Sequence, residues 1–162
     1  MSQPDSSLFQ SLYEQHQRMV LTLCRGYMKG DLELANDLAQ DVFVNVLNAL
    51  PSFRGQASHK TWIYRVTVNT CLLQLRREKK RSEVSLNESV HDREDEKPSQ
   101  PEQKLYQAIG QLEEVDRIII MLVLDDLSYP EIAEMVGITE NNLRVKIHRA
   151  RTKLKTFMQY GK

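Results

Sequence analysis

The chain is poor in cysteine: Cys24 and Cys71 stand far apart, outside any CxxC or Cys/His grouping. Both lie among apolar helical positions, which favours buried, reduced thiols over a metal site. No apolar run approaches the ~18 residues of a membrane helix, and the opening MSQPDSSLFQ lacks a basic segment followed by an apolar one. A soluble, cytoplasmic protein is expected. There is no strand-like alternation and no repeat, and no paired carboxylates, nucleophile–base set or metal-ligand spacing. His16, His59, His91 and His148 are scattered. The reading is therefore of a non-enzyme without catalytic residues, metal or cofactor.

Net charge is also lacking, with 22 cations against 22 anions. The distribution is uneven. Residues 1–82 hold eleven cations and seven anions; residues 83–104 hold three and seven; residues 105–162 hold eight of each. Local fields, not the neutral total, bear on nucleic-acid binding.

What is present is helical. The stretch Ser128 to Arg151 reads as two short helices around a tight turn. Ser128 with Glu131 has the capping-box spacing, and Pro130 sits where a missing N–H costs least. Ile132, Ala133 and Val136 form an inward face, and Gly137 can adopt the left-handed conformation of a sharp turn. Thr139 caps the next helix, whose apolar stripe is Leu143, Ile147, Ala150, Leu154 and Met158. Its other face carries Asn141, Arg144, Val145, His148 and Arg149. Seven cations follow Glu140 with no later acid, a pattern suited to a phosphate backbone rather than to a mixed solvated face. This is a helix-turn-helix.

Upstream, apolar periodicity predicts a helix from Leu8 to Tyr27, ending near Gly30. Asp31 can cap a second, Leu32 to Leu50, with the stripe Ala35, Leu38, Ala39, Val42, Phe43, Val46, Leu47, Leu50. Its outward face, Asp37, Gln40, Asp41, Val44, Asn45 and Asn48, has acids and amides but no cation, and suits either solvent or a protein partner. Pro51 ends it. After the loop PSFRGQASHK, Ser58 or Thr61 starts a helix to Arg81, with apolar residues Trp62, Ile63, Val66 and Leu73 widened by Val68, Cys71, Leu72 and Leu75. Arg65, Asn69 and Arg76 share a narrow outer face, since their angular spread is only about 40°. Trp62 and Tyr64 are open to core packing or to stacking on unpaired bases, Tyr64 being the better candidate for a functional role.

Residues 83–104 are polar and acidic, with two prolines, and read as a linker. Pro101 fits the first turn of a new helix. Leu105, Ile109 and Leu112 lead it, and Glu113–Asp116 open another that runs through Leu124. The expected architecture is all-α: a domain at 1–82, a flexible acidic linker at 83–104 and a helix-turn-helix domain at 105–162.

Certain of these residues resemble a family. Ala35-x-Asp37-Leu38-x-Gln40-Asp41-x-Phe43, Phe53-Arg54-Gly55, Thr61-Trp62-Ile63-Tyr64-Arg65 and Asn69 are similar to region 2 of extracytoplasmic-function (ECF) sigma factors. Ser128-Tyr129-Pro130-Glu131-Ile132-Ala133-Glu134 and Arg149-Ala150-Arg151 resemble their region 4. The resemblance implies a dissociable subunit of bacterial RNA polymerase that directs promoter recognition and DNA opening. Asp37, Gln40, Asp41 and Asn45 would dock on the β′ clamp helices, and the second domain on the β flap. The loop Phe53 to Lys60, including Arg54, Ser58 and His59, with Trp62, Tyr64 and Asn69, would capture minus-ten DNA. Arg65, Arg76 and Arg77 would hold phosphates nearby. Arg144, Val145, His148 and Arg149 would face minus-thirty-five bases, with Asn141, Asn142, Lys146 and Arg151 on the backbone. The acidic linker would thread the polymerase's basic cleft. An anti-sigma protein is an expected regulator, and no membrane insertion is expected.

The family often has Gly-Thr-Val-Lys-Ser-Arg where this chain has Asn141-Asn142-Leu143-Arg144-Val145-Lys146, so Val145 would offer a thymine methyl contact in place of a hydrogen bond. Two other readings stand beside this one. A free-standing transcriptional regulator would use the helix-turn-helix but leave Arg65, Asn69 and Arg76 unexplained. A helical adaptor or antagonist would leave the C-terminal cations unused.

Overall fold

The computed structural model describes residues 6–84 and 101–160; the greater part of the expected linker lies outside the described residues. Helices α1 (Ser6–Tyr27), α2 (Leu32–Ala49) and α3 (His59–Val84) precede α4 (Pro101–Gly110), α5 (Glu114–Leu124), α6 (Tyr129–Val136) and α7 (Glu140–Tyr160). A single 3-10 turn, Leu50–Ser52, follows α2 at Pro51. Among the described residues there is no strand.

Local chemistry sets most boundaries. The Asp31 carboxylate accepts the Leu34 N–H at 3.1 Å and starts α2. Ser58, rather than Thr61, opens α3: its hydroxyl accepts the Thr61 N–H at 3.1 Å and its carbonyl the Trp62 N–H at 3.0 Å. At α6 both halves of the capping box form between Ser128 and Glu131. Gly137 closes that helix at φ 81°, and the Thr139 hydroxyl then accepts the Asn142 N–H at 3.2 Å.

Helices α1, α2 and α3 pack as one trio, and α4 to α7 as a second group. Val20, Leu23, Cys24, Ala35, Leu38, Val42, Val46, Ile63, Val68 and Cys71 fill the first core; Ile109, Ile118, Ile119, Leu122, Ile132, Leu143 and Ile147 fill the second. The Cys24 thiol meets that of Cys71, and this contact together with burial raises its pKa well above the usual thiol range. The two groups touch through α1 against α4 and α5, and α3 against α5 and α6.

Three stripes differ in part from the sequence reading. On α3, Leu73 is 45 % exposed while Thr67 and Thr70 are buried. Their hydroxyls can face inward because they donate to the Ile63 and Val66 carbonyls, both at 2.7 Å, so no polar group is left bare. On α6, Met135 is buried and Val136 only half-buried. The α7 stripe holds at Leu143, Ile147 and Ala150 but outruns its support, leaving Met158 48 % exposed.

Candidate nucleic-acid interface

The buried stripe of α7 turns its opposite face to solvent. Asn141, Asn142, Arg144, Val145, His148, Arg149 and Arg151 are all exposed. Arg144 has two neighbours at its guanidinium. Its guanidinium lies 5.9 Å from the centre of the Tyr129 ring, and Nη2 is 3.9 Å from Glu140 Oε2. Both are long contacts made by the guanidinium of an exposed side chain, which stays open to solvent. Lys146 differs. Its Nζ is 3.7 Å from Asp116 Oδ1 on α5, so part of its charge is engaged within the module.

The start of α3 carries the second surface. The turn after Ser52 brings Phe53 back over the new helix, with Gly55 at φ 72° completing the reversal. The Phe53 ring sits 4.6 Å from His59 and 5.0 Å from Trp62, centre to centre. All three are half-buried, while Arg54, Ser58 and Lys60 beside them are exposed. The result is an aromatic shelf rimmed by cations. Asn69 and Arg76 lie exposed farther along the helix. His16 of α1 lies near His59 and Lys60: burial first, then the charges of Lys60 and His59, lower its pKa.

Tyr64 and Arg65 are placed otherwise. Tyr64 is 5 % exposed, and its hydroxyl donates to Asp125 Oδ2 at 2.7 Å. Burial and that bond push the phenol above its ordinary range. Arg65 Nη2 lies 3.4 Å from Glu134 Oε1, and its Nε is buried without a hydrogen-bond partner.

A third surface lies between α2 and α3. Asp37, Gln40, Asp41 and Asn45 are exposed, and an open groove of about 370 Å³ runs beside Asp41, Val44, Asn45, Leu73 and Arg77. The Asn45 amide donates to Thr70 Oγ1 at 3.0 Å, tying the two helices at its floor. Arg77 therefore lines the groove with Asp41 rather than sitting beside the aromatic shelf.

Sequence reasoning passed over several of these partners. Tyr129 as a neighbour of Arg144, Asp116 as the counter-ion of Lys146, Leu73 as an exposed groove residue, and His16 all depend on which helices meet. Periodicity within one helix carries no such signal.

The sigma-70 region 2 model matches residues 12–81, and the sigma-70 region 4 model matches residues 102–154. RNA polymerase sigma factor YlaC of Bacillus subtilis is 37 % identical, over 78 % of this chain and 79 % of that one. The ECF RNA polymerase sigma-E factor of Escherichia coli is 32 % identical, over 91 % of this chain and 84 % of its own. The chain belongs to the ECF sigma factors. Its function is that of an alternative sigma factor of RNA polymerase. Two solved structures share the fold of this sigma factor. The sigma factor RpoE of Bartonella quintana, in complex with the anti-sigma factor NepR, superposes with a TM-score of 0.66 at 24 % identity, over 93 % of this chain and 98 % of that one. CnrH, in complex with the cytosolic domain of CnrY, gives a TM-score of 0.67 at 22 % identity, over 96 % and 90 %. Among the described residues no group of His, Cys, Asp and Glu could hold a metal, and no helix is long and apolar enough to cross a membrane.

Proposed function

We propose that this sigma factor grips promoter DNA at two places while bound to core polymerase in the cytoplasm, and that it contributes no catalytic group of its own. Region 2, within residues 1–82, would dock through Asp37, Gln40, Asp41 and Asn45 on the β′ clamp helices. The groove beside them supports this, because exposed Val44 and Leu73 offer an apolar centre inside a charged rim. The segment 83–104 would bridge to region 4, within 105–162, which would rest on the β flap.

Opening DNA at the minus-ten element means taking bases out of the stack, at a cost of a few kcal/mol. Stacking on an aromatic side chain returns about 1–3 kcal/mol per base. Phe53, His59 and Trp62 supply such a platform, and Arg54, Ser58 and Lys60 line its edge. Tyr64 and Asn69 would complete the pocket, with Arg65, Arg76 and Arg77 near the phosphates; Arg77 is the least favoured of these because it faces the groove. On α7, Arg144, Val145, His148 and Arg149 would read minus-thirty-five base edges, with Val145 against a thymine methyl. Asn141, Asn142, Lys146 and Arg151 would take the backbone. An anti-sigma factor is a further partner, since the related RpoE structure was solved with the anti-sigma factor NepR.

The observation that carries this reading is the exposed cationic face of α7 in the same chain as the aromatic shelf of α3. A lone regulator needs only the first. Purified chain added to core polymerase should start transcription at a defined promoter, whereas chain alone should bind duplex DNA weakly. Tight, specific duplex binding without polymerase would favour the regulator.

A further inference from the structure

The proposed backbone contacts of α7 are not placed alike. Asn141, Asn142 and Arg151 are exposed, whereas Lys146 is half-buried. At 100° per residue Lys146 stands about 40° from buried Ala150 and about 60° from buried Leu143, but about 160° from His148 on the outer face. It shares its flank with Asn142, about 40° away, where a free ammonium would reach a phosphate. Its charge is turned elsewhere. Nζ lies 3.7 Å from Oδ1 of Asp116, in the first turn of α5. The Asp116 side chain is 13 % exposed, and its Oδ1 is buried and accepts no hydrogen bond. The cation that faces this oxygen is Lys146.

We propose that Asp116 is a positioning residue of the duplex-reading face: it ties Lys146 to α5 and keeps that charge off the phosphate backbone. The inference rests on the reading that α7 meets the minus-thirty-five duplex, and it narrows the part Lys146 plays there. Moving the ammonium to a phosphate would leave a buried carboxylate oxygen with neither cation nor donor, a costly state. A phosphate on the duplex surface has water and condensed counterions in place of Lys146. Buried Oδ1 is closed to both. The ammonium therefore stays on α5 when the duplex binds, and region 4 grips the backbone with one cation fewer than α7 carries. A withheld phosphate contact takes about 0.9 from the salt slope and weakens every sequence alike. That lowers the free chain's hold on duplex without touching base readout by Arg144 or Val145.

The test is a double-mutant cycle read as salt dependence. Full-length wild type, Asp116→Asn, Lys146→Gln and the double variant bind a short minus-thirty-five duplex across about 50–200 mM salt, with helicity checked by circular dichroism. Asp116→Asn should steepen the fall of log K with log salt by about 0.9, so its advantage over wild type shrinks about 3.5-fold across that range. Lys146→Gln should remove that ~0.9 in the Asp116→Asn background, and far less where Asp116 is present. Equal loss of slope in both backgrounds would overturn the proposal. So would Asp116→Asn curves parallel to wild type, the mark of a merely structural carboxylate. Should Asp116→Asn lose helicity, the wild type decides. Its Lys146 ammonium signal, assigned by its loss in Lys146→Arg, should keep its nitrogen shift as duplex is added; a shift that follows the titration refutes the tie. Arg144→Ala separates the two levels. If it leaves duplex binding unchanged, the reading of α7 fails and the tie with it; if it weakens binding while the cycle shows no coupling, only the tie fails.

Discussion

Helices α3 and α7 both carry a row of cations beside residues suited to bases, yet the chain presents them differently. The row on α7 stands on solvent, with Arg144 beside Tyr129 and Glu140. On α3 the aromatic shelf is accessible, but Tyr64 and Arg65 are engaged by acids of the other module. Duplex reading by α7, as proposed, would therefore need no rearrangement, while the proposed capture of an opened strand by α3 would be conditional. A subunit that should open DNA only after joining its enzyme is served by that asymmetry.

The largest expected effect comes from removing the enzyme to which both helices would be delivered. Asp41→Arg puts a cation into the acidic face of α2 at an exposed position. Core affinity should fall about 100-fold, within the 2–5 kcal/mol range for a disrupted interfacial charge pair, with thermal unfolding unchanged. Core binding at wild-type strength would show that the groove is not the polymerase face and would leave the α3/α7 contrast without a carrier.

Within α7 the contrast can be sharpened residue by residue. Arg144→Ala should cost about 1–3 kcal/mol in binding to a minus-thirty-five duplex and relax the preference at one base pair. Lys146→Ala should weaken all sequences evenly and by less, because its ammonium already shares Asp116. Equal, sequence-selective losses in a binding-site selection experiment would invert this assignment. Ser128→Ala removes the hydroxyl half of the capping box and should lower stability by about 1 kcal/mol in denaturant unfolding. The loss should fall on the α7 side only, so shelf binding to a single strand is expected to hold.

The difference between the two surfaces also explains what could be read from the sequence. The helix-turn-helix was legible because each device is local: Ser128 and Glu131 are three residues apart, Gly137 sits in the turn, and Leu143 and Ile147 follow one period. Helices α1 to α3 were legible from their stripes and the segment before α3 as a loop, whose part in DNA capture came only from the family resemblance. Leu73 was misplaced because periodicity cannot register that Thr67 and Thr70 may be buried by bonding back to their own helix. Tyr64 suited a functional role by its place beside the basic helix, but its burial depends on Asp125, 61 residues away. Arg77 likewise follows the groove that α2 creates. Local signals set the elements; exposure was decided by which helices meet, and no window of sequence contains that.

The smallest effect concerns the shelf itself. Burial, then the nearby Lys60 and His59, lower the His16 pKa from its ordinary 6.5. The sign follows from linkage: the unfolded chain takes the proton more readily than the folded one, so stability is lost as pH falls from 6.5 through the lowered folded value. His16→Gln should therefore unfold with a flatter acid limb than wild type below pH 6.5, with the two matching at pH 7.5. A strand phosphate laid along Lys60 and His59 would offset the charges that depress His16. Adding single-stranded minus-ten DNA should thus raise its pKa, followed as the imidazole proton shift in NMR. Minus-thirty-five duplex should leave it alone, since on the proposed reading that ligand would go to α7. A His16 signal that responds equally to both would mean the shelf and the recognition helix are not separate grips.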